Sequence, residues 1–194
     1  LITYKELDRL SDQVAHWIVA HGLTGKAIGV SMPRSPEVVI TLYGLMKAGA
    51  IYVPLDEGHP EERLRFMAKD ARIAGWITAQ PIPDVLDFIP NWVFQDILTE
   101  AAAYADRTLP EISPSQYAYI LFTSGTTGQP KGVIIRHNQV VVMAWNTKEN
   151  AFQLHEEDRF LSFASLNIGA SIVEMFSATL IGAQLVIATE QEKK

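Results

Sequence analysis

The chain has 194 residues, of which 48% are hydrophobic and 20% charged, and its formal net charge is −6. This balance is typical of a soluble globular protein with one domain or parts of two. The negative charge and the lack of a long basic block argue against nucleic-acid binding, which needs clustered cations to neutralise phosphates. The absence of cysteine excludes disulfides and thiolate metal sites.

Neither end of the chain resembles a targeting or membrane segment. The first residues, LITYKEL, are too polar for a signal peptide. No apolar run approaches the roughly 18 residues of a membrane helix. We therefore expect a cytoplasmic protein without membrane association. The abrupt start, and the ending TEQEKK just after a strand-like segment, favour a portion of a longer polypeptide.

The first part of the chain alternates between predicted helices and strands. The first helix begins with a T-x-x-E capping box formed by Thr3 and Glu6, and the second begins with Ser35 and Pro36. The predicted helices end at Gly22, Gly49 and near Gly75, and the predicted strands cover residues 27–32, 51–55 and 76–79. Because these strands lack polar alternation, we predict an α/β fold with mostly parallel sheets and helices on both faces.

The pattern weakens between residues 80 and 116, where five prolines and scattered apolar residues predict a connecting region. A boundary near residue 112 divides the chain into a first α/β subdomain with its linker, 1–111, and an incomplete second α/β subdomain, 112–194. In the second part we predict strands at 117–122, 133–136, 159–164 and 185–188. Helices are predicted from Asn138 to about residue 152 and over 170–180, with Gly182 just beyond the second helix.

The segment TSGTTGQPKG, residues 123–132, lies between two predicted strands. Its glycines let the backbone reach positive φ and approach a ligand closely, and successive N–H groups in such a turn form an anion site. Four hydroxyls and the ammonium of Lys131 add donors and a positive charge, which suits a polyphosphate. The alternative is a solvated hairpin loop with no ligand.

Two common nucleotide-binding motifs are absent from this segment. A Walker A loop needs Lys followed by Ser or Thr at the start of a helix, whereas Lys131 is followed by Gly132 and a predicted strand. The dinucleotide fingerprint G-x-G-x-x-G is also missing. The chain is therefore neither a P-loop NTPase nor a Rossmann dinucleotide-binding protein.

The sequence YILFTSGTTGQPKG, residues 119–132, closely resembles the phosphate-binding signature of adenylate-forming enzymes. This superfamily contains acyl-CoA synthetases, firefly luciferase and the adenylation domains of nonribosomal peptide synthetases. ITYKEL (2–7) and LMKAGAIYVPLD (45–56) resemble the first two core motifs of the peptide-synthetase branch. The resemblance spans the whole chain and implies that it forms part of the large N-terminal domain of such an enzyme.

The resemblance assigns residues to an ATP site. The loop over the ATP phosphates would contain Thr123, Ser124, Gly125, Thr126, Thr127, Gly128 and Lys131. His137, the one residue considered for a catalytic role, falls where the family commonly has a histidine, and it fits a surface residue at a strand end equally well. Asp56 is expected to make only a turn contact. The resemblance places the magnesium ligand, the adenine and ribose contacts and the catalytic lysine outside this chain, so no metal ligand is assigned here.

The implied reaction has two steps. A carboxylate attacks the α-phosphorus of ATP to form an acyl-adenylate and pyrophosphate, and the acyl group then passes to the phosphopantetheine thiol of a carrier protein. The implied partners are a small carboxylic acid, the remainder of the adenylation domain and the carrier-protein domain. Because the later motifs are missing, we expect the 194-residue chain alone to be inactive.

The fourth core motif departs from the family pattern. Amino-acid-activating members commonly read F-D-A-S-x-W-E where this chain reads IGASIVE, residues 168–174. Gly169 replaces the aspartate that pairs with the substrate ammonium, and Val173 replaces the usual tryptophan. Losing this charge-assisted hydrogen bond removes about 1.5–3 kcal/mol. With Ala170, these residues predict a pocket for an acid without an α-amino group, such as an α-keto, α-hydroxy, aryl or fatty acid.

Several alternatives stay open. Gly169 could cap the following helix while an acidic residue elsewhere binds an ammonium. The chain could belong to a stand-alone acyl-CoA ligase, although its first two motifs favour a peptide or depsipeptide synthetase. A degenerate, non-catalytic adenylation module is a third interpretation, and the intact hydroxyls and Lys131 argue against it.

Overall fold

A computed structural model describes residues 1–56, 58–81, 89–123, 129–147, 149 and 153–188. Six α-helices in these ranges are α1 (Tyr4–Ala20), α2 (Pro36–Lys47), α3 (Glu61–Asp70), α4 (Phe94–Ala101), α5 (His137–Asn146) and α6 (Gly169–Ile181). The strands are β1 (Ala27–Ser31), β2 (Ile51–Pro54), β3 (Ile73–Thr78), β4 (Asn91–Val93), β5 (Tyr117–Thr123), β6 (Lys131–Arg136), β7 (Arg159–Ser162) and β8 (Gln184–Ile187). None of the helices in the described part is long and apolar enough to cross a bilayer.

The larger sheet has six strands in the order β4-β3-β1-β2-β5-β6. All neighbouring pairs are parallel except β5 and β6, which form an antiparallel hairpin. Strands β7 and β8 form a separate parallel pair. The predicted α/β class with mostly parallel sheets is confirmed. The sheet contains strands from both sides of residue 112, and the division into subdomains 1–111 and 112–194 stays a prediction.

Helices cover both faces of the six-stranded sheet, as predicted. On one face, Leu64 and Met67 of α3 pack with Val53, Trp76 and Phe122. On the other face, apolar residues of α1, α2, α4, α5 and α6 form a second core with the remaining inward positions of the strands. This two-sided burial explains why every residue of β1 is buried and why its sequence lacks polar alternation.

Local signals determine where the first helices begin. The side chain of Thr3 accepts a hydrogen bond from the Glu6 N–H at 3.2 Å, and Glu6 Oε2 accepts one from the Thr3 N–H at 2.9 Å. This reciprocal capping box satisfies two N–H groups that have no partner inside the helix. Helix α2 begins at Pro36 with Ser35 as its N-cap, again as predicted.

The predicted end of the third helix near Gly75 is wrong. Helix α3 ends at Asp70, the chain turns at Arg72 with φ of 51°, and β3 begins at Ile73. Gly75 lies inside the strand, where a Cβ atom would be 2.1 Å from ring carbons of Trp92. Glycine is therefore required for close packing of a neighbouring ring and does not terminate the helix.

Residues 80–116 contain more structure than predicted. Strand β4 pairs in parallel with β3, and α4 buries Phe94, Ile97 and Ala101. Helix α4 is also joined to α1, because Trp17 Nε1 donates a hydrogen bond to Glu100 Oε2 at 2.8 Å. The strand has only three residues and follows a proline, so its sequence carries almost no periodic signal.

Helix α5 begins one residue before the predicted cap, Asn138. Its N-cap is Arg136, whose N–H donates to Gln139 Oε1 at 2.8 Å. The N–H of Asn138 is used instead in a hydrogen bond to the Pro114 carbonyl at 2.9 Å. Residues 150–152, where the helix was predicted to end, lie outside the described ranges.

Candidate functional site

The carboxyl ends of β2 and β5 meet at one edge of the large sheet because the two strands are parallel. The segment between β7 and α6 lies next to this edge. Together they surround a cavity of about 620 Å³. Its lining residues come from β2, α3, β5, β6, the start of α6 and the segments that precede α3 and α6: Pro54, Asp56, His59, Arg63, Met67, Tyr119, Leu121, Phe122, Thr123, Val133, Ile135, Ser165, Asn167, Ile168 and Gly169. Clefts beyond the carboxyl ends of parallel strands are the usual ligand sites of α/β folds.

Two of the predicted site residues line this cavity together. Thr123 ends β5, and Gly169 begins α6. Lys131 begins β6 directly opposite Thr123 in the hairpin register, and it is exposed. The predicted loop residues Ser124, Gly125, Thr126, Thr127 and Gly128 lie outside the described residues. Of the two residues that flank this loop, Thr123 lines the cavity and Lys131 lies at the start of the adjacent strand.

Gly169 is not required by its backbone or by packing. The N-cap of α6 is Ile168, so Gly169 is the first helical residue and not the cap. A Cβ atom at position 169 would meet only Leu121 Cδ1, at 3.8 Å, which is an ordinary van der Waals distance. The position therefore has room for the beginning of a side chain, and the missing carboxylate changes the chemistry of the cavity wall without relieving a clash.

The other two predicted acid-site residues are placed differently. Ala170 is exposed near the start of α6, and Val173 is partly buried one turn further along the helix. Neither belongs to the residues of this chain that line the cavity. Their contact with substrate stays a prediction.

Several polar side chains that the sequence did not assign to the site line the same cavity. The expected turn contact of Asp56 is present, because its Oδ1 accepts the Gly58 N–H at 2.9 Å. Its Oδ2 also accepts a hydrogen bond from Asn167 Nδ2 at 3.0 Å, which joins the second motif to the segment before α6. The proximity of residues 111 positions apart has no local sequence signal.

Arg63 contributes a positive charge to the cavity wall. It lies in the first turn of α3, and its Nε atom is buried without a hydrogen-bond partner among the residues described. His59 lines the cavity just before this helix. The only sequence signal for these residues was the predicted helix start at Pro60, which placed Arg63 near an N-terminus without indicating what it faces.

His137 is the first residue of α5 and does not belong to the cavity lining. Its backbone N–H donates to the Gln116 carbonyl at 3.1 Å. Its ring is half-buried, and burial lowers the pKa of the imidazole because the charged form loses hydration. Nε2 is buried and has no partner in the described ranges. Its catalytic role stays a prediction.

The described residues contain no group of three or more His, Asp or Glu side chains that could hold a metal ion. The implied magnesium ion thus has no three-ligand site within this part of the chain.

Comparison with known proteins places the chain in a family. All 194 residues match the family described as AMP-binding enzyme. Tyrocidine synthase 1 of Brevibacillus parabrevis is 33% identical over 194 residues, which cover 98% of this chain and 18% of that protein. The dimodular nonribosomal peptide synthase of Bacillus subtilis is 32% identical over 200 residues, which cover 98% of this chain and 8% of that protein.

Two solved structures share the fold. The Klebsiella oxytoca NpsA N-terminal subdomain in complex with 3-hydroxyanthranilyl-AMSN has a TM-score of 0.85 and 28% identity, covering 97% of this chain and 47% of that one. NpsA-ThdA, an artificially fused adenylation–PCP di-domain, has a TM-score of 0.84 and 27% identity, covering 97% and 38%. This chain therefore spans less than half the length of each of these relatives. It belongs to the AMP-binding enzyme family and is homologous to the N-terminal portion of nonribosomal peptide synthetase adenylation domains.

Proposed function

We propose that the chain is part of an adenylation domain that activates a carboxylic acid without an α-amino group. In this proposal ATP and the acid form an acyl-adenylate and pyrophosphate. The acyl group is then transferred to the phosphopantetheine thiol of a carrier protein. The observation that carries the proposal is the cavity at the ends of β2 and β5, which Thr123 and Gly169 line together.

The acid end of the site is assigned to the start of α6. Position 169 carries no carboxylate although a Cβ would fit there. An α-ammonium brought to this wall would be desolvated without a charged partner at position 169, which is costly. An α-keto, α-hydroxy or aryl acid avoids that cost. Ala170 and Val173 are proposed to complete this end with small, uncharged side chains.

The phosphate end is assigned to the β5–β6 hairpin. Thr123, Ser124, Gly125, Thr126, Thr127, Gly128 and Lys131 are proposed to bind the β- and γ-phosphates of ATP. Arg63 lines the same cavity as Thr123, and its buried Nε has no partner among the described residues. It is therefore available to supply a second positive charge at this end.

The proposed chemistry depends mainly on positioning and charge. An oxygen of the substrate carboxylate attacks the α-phosphorus, the bond from this phosphorus to the bridging oxygen breaks, and pyrophosphate carries away the electron pair. In the second step the carrier thiol loses its proton, its sulfur attacks the acyl carbonyl, and AMP leaves. Lys131 and Arg63 would stabilise charge on the pyrophosphate group during the first step. Magnesium stays an expectation from the family resemblance, and no step is derived through it.

A second candidate is activation of an amino acid, and one observation favours it. Asp56 lines the cavity and could serve as the ammonium partner in place of position 169. Both of its oxygens already accept hydrogen bonds, from Gly58 N–H and from Asn167 Nδ2. A carboxylate has about four acceptor sites, so Asp56 keeps the capacity to bind an ammonium. We favour the acid without an amino group because position 169, where the family carries the partner of the ammonium, has no carboxylate.

ATP–pyrophosphate exchange by the full-length enzyme tests the proposal. The substrate panel pairs leucine with 4-methyl-2-oxopentanoate and valine with 3-methyl-2-oxobutanoate, and adds 2-hydroxy-4-methylpentanoate and benzoate. We expect exchange with at least one of the acids that lack an α-amino group and little exchange with leucine or valine. Strong exchange with an amino acid that is lost in Asp56→Asn would instead establish the second candidate.

The proposed partners are the remainder of the adenylation domain and a carrier domain. In the related NpsA-ThdA structure an adenylation domain is artificially fused to a PCP domain, which supports a carrier domain as a partner. We expect the purified 194-residue chain to give no exchange activity with any acid of the panel. Turnover by the chain alone would contradict the assignment of essential groups to the rest of the enzyme. A cytoplasmic location also stays a prediction of the sequence.

A further inference from the structure

We propose that Glu174 and Arg34 are positioning residues for the acid site, because they fix the segment 163–168 that leads into Gly169. This inference rests on the proposed function of the cavity. It concerns two charged residues. Neither of them lines the cavity, and neither belongs to the loop assigned to ATP. Glu174 is on α6, whereas Arg34 lies between β1 and α2 in the first part of the chain.

Glu174 is a buried carboxylate whose hydrogen bonds all reach back to the end of β7 and the residues after it. The residue is only 8% exposed. Oε2 accepts hydrogen bonds from Ser162 Oγ, Phe163 N–H and Ala164 N–H, each at 3.1 Å. A buried carboxylate is tolerated when donors replace its lost hydration. Glu174 therefore fixes the backbone at the point where the chain leaves β7.

Arg34, in the connection between β1 and α2, contacts the same residue, Ala164. It is 7% exposed, and its Nη1 donates a hydrogen bond to the carbonyl oxygen of Ala164. Ala164 thus donates its N–H to the anion and offers its carbonyl to the cation. Glu174 and Arg34 therefore bind the two ends of one residue, which fixes the position of Ala164.

The rest of the segment is attached at two further places. Ser171 Oγ lies 2.8 Å from the Ile168 carbonyl oxygen and 3.2 Å from that of Leu166, and it can donate to either. Asn167 donates to Asp56 at the end of β2. The segment is therefore held by α6, by the β1–α2 connection and by the end of β2. This arrangement fixes the start of α6 relative to the large sheet.

The position of this segment affects the cavity directly. Ser165, Asn167 and Ile168 lie in the segment and line the cavity, next to Gly169. A second space of about 440 Å³ borders the same segment, because Ser165 and Asn167 line it together with Arg34. If the bonds to Ala164 were lost, the segment would have room to shift between the two spaces. We therefore expect the acid end of the site to be altered more than the ATP end.

The test uses the full-length enzyme and the acid of the exchange panel that the wild type activates fastest. In Glu174→Gln the negative charge is removed and an amide NH2 takes the place of Oε1, so the hydrogen bond from the Ala164 N–H to that atom, at 3.3 Å, is lost. We expect the KM for the acid to rise about tenfold, the size of one lost charge-assisted hydrogen bond, while the KM for ATP stays within about twofold. Arg34→Met should give the same pattern, and Arg34→Lys should restore part of the acid affinity.

Ser177→Ala is the matched control. Ser177 is also on α6, is fully buried, and has a hydroxyl without a hydrogen-bond partner in the described part of the chain. Removing this hydroxyl should leave both KM values unchanged. Melting temperatures of all variants are measured alongside, so that loss of folded protein is separated from loss of acid binding.

The outcomes distinguish the inference from the function on which it rests. If the wild type exchanges with no acid of the panel, the proposed function fails, and the inference fails with it. If the wild type is active and folded Glu174→Gln and Arg34→Met keep the acid KM, or raise the KM of acid and ATP equally, the positioning role alone is wrong. Should Glu174→Gln fail to fold, the Arg34→Met and Arg34→Lys pair decides the question by the same criterion.

Discussion

Strands β1 and β6 belong to one sheet and have similarly apolar sequences, AIGVS and KGVIIR, yet their surroundings differ. Every residue of β1 is buried, whereas β6 lies at the sheet edge and Val133 and Ile134 are 44% and 47% exposed. Helix α5, which follows β6, exposes Val141, Val142 and Trp145 by about three-fifths each. An apolar run thus predicts a strand but not what covers it.

Five large apolar side chains of β6 and α5 are exposed: Val133, Ile134, Val141, Val142 and Trp145. Val133 and Ile134 point to opposite faces of the sheet, because successive residues of a strand alternate. The chain spans only 47% of the NpsA subdomain, and we propose that the remainder of the adenylation domain covers part of this edge strand and of α5. The contrast between β1 and β6 can then be tested by substitutions whose effects depend on what is packed around each strand.

The largest expected effect is on stability in the central strand. Ile28 of β1 is fully buried, and Ile28→Ala should lower the free energy of unfolding by about 2–5 kcal/mol. Ile134→Ala on the edge strand should change it by less than about 0.5 kcal/mol in the 194-residue chain. Denaturant unfolding of both variants measures the difference. In the full-length enzyme Ile134→Ala should become more costly, and an unchanged small effect there would argue against the proposed cover.

Lys131 is exposed, yet we expect its substitution to have a large effect on activity and little effect on stability. It is exposed at the start of β6, and the proposed function places its ammonium at the ATP phosphates. Lys131→Gln should lower kcat/KM for exchange by about tenfold to a hundredfold, which corresponds to one charge-assisted hydrogen bond. Its effect on the unfolding free energy should be within about 0.5 kcal/mol. Full activity of the variant would remove Lys131 from the site.

Two arginines of α3 provide a smaller and more selective comparison. Arg63 lines the cavity, whereas Arg65 Nε contacts Glu61 Oε1 at 2.7 Å on the surface of the same helix. Arg63→Gln should raise the KM for ATP about tenfold because one phosphate contact is lost. Arg65→Gln should leave both KM values unchanged, since exposed ion pairs contribute little. Equal kinetics for the two variants would show that Arg63 does not contact a phosphate.

The smallest effect concerns His137 and pH. Burial depresses the pKa of its imidazole in the folded state, so the unfolded chain binds a proton at higher pH than the folded chain does. The associated stability is fully present above the ordinary histidine pKa of about 6.5 and decreases as pH falls below it. His137→Gln should reduce the loss of unfolding free energy between pH 7.5 and pH 5.5. An identical pH dependence in wild type and variant would contradict this assignment.

The sequence predicts most of the fold because strong local signals coincide with tertiary packing. The capping box at Thr3, the Ser35–Pro36 helix start and the strands β1, β2 and β5 are found where they were predicted, whereas β3 begins three residues before its predicted start. Strand β4 is missed because three residues are too few to show a period. Gly75 is misjudged because the ring that requires glycine there, that of Trp92, is 17 positions away in the sequence.

The residues of the candidate site were also only partly predictable from the sequence. The resemblance identified Thr123 and Gly169, and the fold brings them to one cavity. The hydrogen bonds between Asp56 and Asn167 and between Arg34 and Ala164 join residues that are 111 and 130 positions apart. Glu174 belongs to the fourth motif, but the motif does not indicate its contact with Ala164. Such contacts depend on strand order and loop placement, which local propensity does not encode.

The close contact between Gly75 and Trp92 also has an evolutionary consequence. Any side chain at position 75 would overlap the indole, and a smaller residue at position 92 would leave space beside β3. Substitution at either place alone is therefore penalised, while a compensating pair is accessible. Among descendants of this sequence, positions 75 and 92 should covary, with a larger residue at the first accompanied by loss of the indole at the second.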